Sequence, residues 1–525
     1  MIWTIARREF FEKILDFRVI ISFMIAIILS AIVTLVAGGE YQAKKGEYDK
    51  QVANQQSQLS DIKVYSEYHP IIFYPPSPLS VFSRGIDIPT PITVPIQVYD
   101  IPRYTASAAG LNPMMSIFSS IDIGTVVCVL FSLLVILLTF DSFSGEKERG
   151  TLRQTLSNPV GKGTILHGKF LGTLMILGVV VCLIYLVALI MLRGFSGITL
   201  SAEEYARVAI MAAVTLLYLG TFTALGIFSS IMLHRSSISL AVLLFVWFFV
   251  AVFQPNLNTY ITSEIANRHW IQEYFAAAGK TECGNERALA DLGKTHGNLF
   301  QNPERHIYGE QQSRTRSTYL GTSFGPVVMR TVVTDADYNI LDFMIQQVRL
   351  YRRLGDCADQ DYGIYKHLFS DRLDNELHRK RALDMFSPAA LFNHATGILS
   401  QTDIDNIDAF FEQARSYRNQ YLAYLDRRGI FSTDAQLYFS RLPKEQIDPV
   451  ATAARIAHYD KDTSMIPWIS NQASLDLRDT PAFGVRESNI ISDTMKTAPI
   501  MGLFLLYLAG MFIITGWSIK SYDPR

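Results

Sequence analysis

Six blocks of 18 or more residues in this 525-residue chain carry no Asp, Glu, Lys or Arg: residues 19–37, 123–140, 170–192, 208–233, 236–255 and 497–519. An apolar bilayer core about 30 Å thick is crossed by roughly 20 helical residues, so each block reads as a transmembrane helix. Composition agrees, with 49% hydrophobic and only 18% charged residues and a mean hydropathy of +0.18, too apolar for an ordinary soluble enzyme. The net charge of −1 gives no reason to expect a nucleic-acid partner.

Orientation follows from the basic residues, because short cytoplasmic segments retain Lys and Arg during insertion. With the N-terminus cytoplasmic, the inner side holds Arg7, Arg8, Lys13, Arg18, Lys147, Arg149, Arg153, Lys162, Lys169, Arg235, Lys520 and Arg525. The short outer loop has only its flanking Arg193 and Arg207. Both termini are therefore expected inside, and two long segments outside.

The expected organisation is an N-terminal helix at 1–17, a first span at 18–38, an outer segment at 39–116 and a second span at 117–140. A cytoplasmic loop at 141–169 leads to spans at 170–192, 208–233 and 236–255, a second outer domain at 256–496 and a last span at 497–519. The fold class is an α-helical membrane protein, six transmembrane helices with a large mixed α/β extracytoplasmic domain. The first block is read as a retained span, since acidic residues precede it and no small-x-small cleavage pattern comes after it.

Residues 1–15 alternate Ile2, Trp3, Ile5, Ala6, Phe10, Ile14 and Leu15 with Arg7, Arg8, Glu9, Glu12 and Lys13. That pattern suits a helix lying in the inner interface with its apolar side in lipid, the alternative being a plain extension of the first span. The polar stretch after the first span prolongs it as helix, and the prolines between 75 and 102 favour extended backbone. In the second outer segment, Ile407, Phe410, Phe411, Ala414, Tyr417, Tyr421 and Leu425 share one helix face, with Thr402 and Asp403 as cap candidates and Gly429 as the stop. A further helix is expected at 340–354 and a strand at 318–334.

Cys128 and Cys182 fall inside spans, whereas Cys283 and Cys357 lie in the second outer segment. An oxidising exterior permits a Cys283–Cys357 disulfide; the alternative is two independent thiols. Small-residue pairs such as Gly168 and Gly172, Gly220 and Gly226, or Gly502 and Gly510 either allow close helix packing or are simply tolerated.

Several chemistries are set aside. The run from Gly163 to Phe170 matches a phosphate-binding loop except that Phe170 stands where Ser or Thr would hold Mg²⁺, so no nucleotide site is expected in this chain. Gly321, Ser323 and Gly325 have nucleophile-elbow spacing, but the residues after Gly325 are strand-like rather than helical. His269, His296, His306, His367, His378, His394 and His458 form no helix-spaced metal pair, and no metal site is expected. The basic run 378–381 reads as a solvated helix face. Among the spans only Asp122 and Asp141, at the edges of the second, are acidic, so no ion pathway is visible.

The segment 146–172, EKERGTLRQTLSNPVGKGTILHGKFLG, resembles the stretch between the second and third spans of ATP-binding-cassette (ABC) permeases of the type-2 exporter class. Residues 75–87 and 385–399 are similar to phrases in the subgroup related to multicopper-enzyme maturation, which has enlarged outer segments. The resemblance implies a multi-pass subunit of the bacterial inner membrane that is not itself an enzyme. It would pair with a second permease copy or paralogue and with a cytoplasmic ABC ATPase dimer carrying the ATP and Mg²⁺; it also admits an extracytoplasmic partner. The ATPase-coupling helix would be Glu146, Lys147, Glu148, Arg149, Gly150, Thr151, Leu152 and Arg153, stopped by Pro159. The chain would serve an ATP-driven exporter or, alternatively, a mechanotransmission complex that reshapes an outer partner without moving a substrate. A receptor-like membrane enzyme is the third reading.

Overall fold

The computed structural model describes residues 1–59, 70–85, 92–97, 122–152, 160–195, 198–262, 371–429, 477–486 and 488–521, with isolated positions between them. Outside the described residues lie Arg153, Pro159, Cys283, Cys357, the Ser323 motif, the expected strand 318–334 and helix 340–354, and His269, His296, His306, His367 and His458.

Among the described residues six helices are long and apolar enough to cross a membrane, and the protein is a multi-pass helical membrane protein. A short helix α1 (Ile2–Ile14) precedes α2 (Phe17–Leu59), whose 43 residues continue well past the apolar block. The second span, α3, runs through Ile123–Thr125, a π-helical turn Val126–Phe131 and Ser132–Thr139. Asp122 caps its start, its carboxylate accepting from the amides of Thr125 (2.6 Å) and Arg84 (2.7 Å). That acidic residue thus serves a helix end. Spans α4 (Lys162–Leu192) and α5 (Ala202–Met232) come next, the latter opened by a Ser201–Glu204 capping box. The fifth span, α6, comprises Ser236–Trp247, a second π-helical turn Phe248–Phe253, and Gln254–Thr262.

After α6 the described chain resumes with α7 (Asp371–Asp384), α8 (Pro388–Ser400) and α9 (Ile404–Arg427), and ends in the sixth span, α10 (Ile490–Ser521). Three helices begin earlier than the expected spans: α4 at Lys162 rather than 170, α5 at Ala202 rather than 208, and α10 at Ile490 rather than 497. Charged residues suggested those boundaries, but Lys169 and Arg207 are buried with partners, Glu146 and Asp493, so neither interrupts its helix.

At the far end of the bundle, away from α1, β1 (Ile71–Phe73) pairs antiparallel with β2 (Thr93–Pro95), Ile72 opposite Val94. These strands join the expected face of α9 in an aromatic core with Tyr65, Tyr68, Ile96 and Phe483. Asp403 is the N-cap residue of α9, though its side chain makes no cap hydrogen bond, and Gly429 ends the run with φ +67°. The run 378–381 is more than a solvated face, since Lys380 pairs with Asp384 (2.8 Å) and Arg381 with Asp405 (2.6 Å).

Helix α8 belongs to the segment expected outside the membrane, yet ten of its residues are buried, and it packs between α5, α6 and α10. Thirteen residues are too few to span a bilayer and suit a helix that enters a bundle and turns back. Phe392 stacks on Tyr218, with ring centroids 4.7 Å apart, near the middle of α5. Tyr507, in the middle of α10, donates to the Met385 carbonyl. Ser387 donates to the Val250 carbonyl (2.9 Å) in the α6 π turn, and Tyr218 donates to the Cys128 carbonyl (2.7 Å) in the α3 π turn. The two π turns therefore hand backbone acceptors to side chains of other elements.

At its other end α8 closes with Gln401 in the left-handed region, φ 60°. The Gln401 amide donates to the carbonyl and hydroxyl oxygens of Ser488, at 3.2 and 3.0 Å. Ser488 in turn donates to Asp493 (2.7 Å), which pairs with Arg207 at 2.9 Å. Arg207 and Asp493 are 2% and 1% exposed, a fully buried ion pair tying α5 to α10.

Candidate functional site

The near end of the bundle gathers α1, the turn after α3, the start of α4, the α5–α6 turn and the end of α10. Its apolar centre is Phe143, Leu152, Ile165, Leu166, Ile227, Ile231 and Ile519, with Ile5 packed against it. Each of these elements contributes to holding residues 141–152, the loop marked by its charges in the sequence.

The chain leaves α3 by a tight turn at 140–143 and forms a five-residue helix, Ser144–Glu148. The Ser230 hydroxyl accepts from the amides of Phe143 and Ser144, both at 2.8 Å, which satisfies two buried donors that a turn would otherwise leave open. Lys147 donates to the carbonyls of Ser230 (3.5 Å), Ile231 and Leu233 (3.2 Å). These carbonyls end α5, where the helix dipole is negative and free acceptors remain. Glu148 accepts from the Ser236 amide (2.8 Å) and hydroxyl (3.0 Å), at the positive N-terminus of α6. Two neighbouring residues of opposite charge thus staple the two facing helix ends of one turn.

Glu146 points the other way, accepting from Lys169 at 2.7 Å. Lys169 is 6% exposed, also donates to the Ser142 carbonyl (2.6 Å), and lies over the Phe143 ring at 4.8 Å. Beside it Lys13 donates to the hydroxyls of Thr173 (3.0 Å) and Ser142 (3.4 Å) and pairs with Glu9 (3.1 Å). Burial pushes the Lys13 ammonium below the usual lysine range, with Glu9 acting against that shift.

The contact between α1 and α4 depends on Gly168 and Gly172. A Cβ on Gly168 would lie 2.6 Å from Ile5 Cγ2, and one on Gly172 would lie 2.7 Å from both the Ala6 carbonyl oxygen and Glu9 Cβ. Ile5, Ala6, Glu9 and Lys13 therefore face the third span, while Trp3, Phe11 and Leu15 are exposed. The expectation that Ile5 and Ala6 lie in lipid is corrected: close packing on two glycines takes them inward. Gly226 is likewise a contact, under Thr139, whereas nothing lies within 4 Å of a Cβ on Gly502 or Gly510.

The stretch expected to couple to an ATPase, Glu146 to Arg153, is described as far as Leu152. Gly150 has φ +75° and divides it, so Glu146, Lys147 and Glu148 finish one helical segment while Thr151 and Leu152 begin another. Leu152, 4% exposed, anchors the second segment in the apolar centre. Arg149, Gly150 and Thr151 form the exposed apex. The sequence directs the four charges of 146–149 toward a partner; three of them are engaged within the chain. Sequence reasoning misses Glu9, Lys13, Lys169, Ser230 and Ser236, for which the only sequence signal is the Gly168/Gly172 spacing.

Among the described residues no group of three or more His, Cys, Asp or Glu side chains is placed to hold a metal ion. The site consists of hydrogen-bonding and charged groups that meet the ends of α5 and α6.

The family model of the ABC-2 family transporter protein matches residues 3–403, which include five of the six spans, the near-end turn and α8. The chain belongs to the ABC-2 transporter family. Over 155 residues, 28% of its length, it is 34% identical to the "Probable ABC transporter permease protein NosY" of Stutzerimonas stutzeri, covering 54% of that protein. Over 70 residues, 13% of its length, it is 37% identical to the protein of the same name from Pseudomonas aeruginosa, covering 26% of it. The matched stretch thus spans about half the length of the first of these curated relatives and a quarter of the second.

Proposed function

We propose that this chain is the transmembrane permease subunit of an ATP-driven ABC exporter of the inner membrane, with its near end cytoplasmic. Nucleotide chemistry belongs to a separate ATPase dimer, which binds the ATP and Mg²⁺, and a second permease copy or paralogue completes the path. The observation that carries this reading is the connection of the 141–152 turn to four spans and to α1. Lys147 and Glu148 link it to α5 and α6, Lys169 to α4, and the chain itself to α3. A push on the exposed apex is therefore shared by the whole near end rather than absorbed by a loose loop. The basic residues counted from the sequence support the orientation.

One observation favours the alternative of mechanotransmission without a cargo. Helix α2 is continuous for 43 residues, roughly 65 Å, about twice the thickness of an apolar bilayer core. It carries any tilt of the first span directly into the far-end region. Cargo uptake into sealed vesicles separates the two readings.

The coupling role is tested at Gly150. Valine there is strained by φ +75° although its Cβ meets nothing within 4 Å, so the chain should fold and still bind its ATPase. ATPase stimulation by the permease should fall by roughly five- to thirtyfold, the equivalent of the roughly 1–2 kcal/mol that a Cβ costs in the left-handed region. Gly150→Asn, which tolerates the left-handed region, should retain most of it. Full stimulation by Gly150→Val would remove the turn from the coupling path.

A further inference from the structure

We propose that the π-helical turns of α3 and α6 form a paired hinge, on which the near halves of both spans, Ser132–Thr139 and Ser236–Trp247, swing as one body against the far halves and α8. This rests on the permease reading above only for the source of the motion.

Both turns are built in the same way. At the end of the α6 turn the Gln254 amide donates to the Phe249 carbonyl, five residues back, and so passes over Val250. The next residue, Pro255, has no amide hydrogen to offer, and in a regular α-helix its ring would crowd the Ala251 carbonyl. Widening the turn relieves that crowding, and Ser387 donates to the passed-over Val250 carbonyl (2.9 Å). At the end of the α3 turn the Ser132 amide reaches Val127, five residues back, and Val129, three back, passing over Cys128. The Cys128 carbonyl instead accepts from the hydroxyls of Tyr218 (2.7 Å) and Ser132 (2.5 Å). In a bilayer a carbonyl released from the helical ladder needs such a donor. With the donor already in place, the ladder can shift its pairing by one residue without stranding an acceptor.

The two turns are also joined to each other. They lie side by side, and the Trp247 indole, just before one, donates to the Ser132 hydroxyl, just after the other, at 2.9 Å. At the near end Glu148, beyond α3, accepts from the Ser236 amide (2.8 Å) and hydroxyl (3.0 Å) at the start of α6. Tied at both ends, the two near halves make one body. The far halves are fixed separately: Asp122 caps that of α3, and Asn258 of α6 donates to Asp384 (2.9 Å) in α7. Helix α8 backs both hinge points, since Ser387 is its N-cap residue and its Phe392 stacks on Tyr218. By contrast α5 passes the same depth unbroken, from Ala202 to Met232. A π turn is one of the few recurrent causes of a bend in a helix, and here two stand together in the spans whose near ends meet at Glu148 and Ser236.

The test is amide hydrogen exchange of the full chain in nanodiscs. Residues 126–131 and 248–253 should exchange at least about tenfold faster than 216–224 of α5, at the depth of Tyr218. Equal protection of the three stretches overturns the proposal, and this comparison needs no ATPase. Pro255→Ala restores the missing amide donor at unchanged chain length, and should slow exchange of 248–253 several-fold; unchanged exchange there overturns the hinge in α6. Deleting Val129, an exposed residue of the α3 turn, removes the extra residue that a π turn holds and should bring 126–131 to the protection of α5. The ATPase subunit is then added. Failure of the wild-type chain to bind or stimulate it overturns the permease reading and leaves the exchange result standing. In a coupled complex, ATP turnover should raise exchange in both turns together, and a rise in one turn alone or in neither overturns the pairing. Both variants should still bind the ATPase while stimulation falls by roughly tenfold; full stimulation with either turn straightened overturns the proposal.

Discussion

Replacing Arg207 by alanine is expected to cost about 3–5 kcal/mol of stability, because it leaves a buried carboxylate without its cation. Asp493 is 1% exposed and has Arg207 at 2.9 Å as its ion-pair partner. Arg207 also donates to the Ser488 carbonyl, which receives the Gln401 amide as well. Removing the guanidinium therefore loosens three contacts between α5, α10 and the end of α8. Asp493→Ala should cost a similar amount for the reciprocal reason. The double exchange Arg207→Leu with Asp493→Leu should recover much of the loss, since apolar replacement of a buried pair is often neutral or better. Thermal unfolding of the purified chain reads all three. Equal melting temperatures for wild type and Arg207→Ala would mean that the pair is hydrated rather than buried.

Phe392→Ala is expected to cost a further large amount, about 3–5 kcal/mol, at a different point of the fold. Phe392 is fully buried and its ring stacks on Tyr218, which itself contacts the rings of Phe222 and Phe504. Truncation opens a cavity at the centre of the bundle, where α8 is seated, and the surrounding spans relax only partly. Tyr218→Phe is a milder probe: it keeps the stack and removes the hydrogen bond to the Cys128 carbonyl, with an expected cost of about 1 kcal/mol. Denaturant titration of the two variants should separate them clearly. A Phe392→Ala chain as stable as Tyr218→Phe would show that α8 is not held by this stack.

These two sites show where the sequence was readable and where it was not. Uninterrupted apolar runs are a strong signal because lipid tolerates little else, and all six spans were visible from them. The buried face of α9, from Ile407 to Leu425, was equally plain, since its period is set by one-sided burial. Span ends were less legible. Lys169 and Arg207 looked like boundaries because a lone charge is costly in an apolar helix, and their partners Glu146 and Asp493 belong to other elements. Pairing across the chain carries no local periodicity. Helix α8 was hidden for a related reason: its thirteen residues are too short to read as a span, and only the packing of Phe392 on Tyr218 reveals its depth.

The near-end turn combined both cases. Its charges and glycines marked it as exceptional, and the family resemblance pointed to coupling. The direction in which each charge points depended on free backbone groups at the ends of α5 and α6, which become available only once those helices meet. Lys147 and Glu148 therefore read as partner-facing in the sequence and are helix-end ligands in the fold.

The central claim, that residues 149–151 receive force from a separate ATPase, is tested most directly by a photo-activated cross-linking amino acid at Thr151 in the assembled membrane complex. The account predicts a covalent adduct with the ATPase subunit whose yield changes when ATP is added, and little adduct from a probe at buried Leu152. Adducts formed only with lipid, or with another copy of this chain while the ATPase is bound elsewhere, would contradict it.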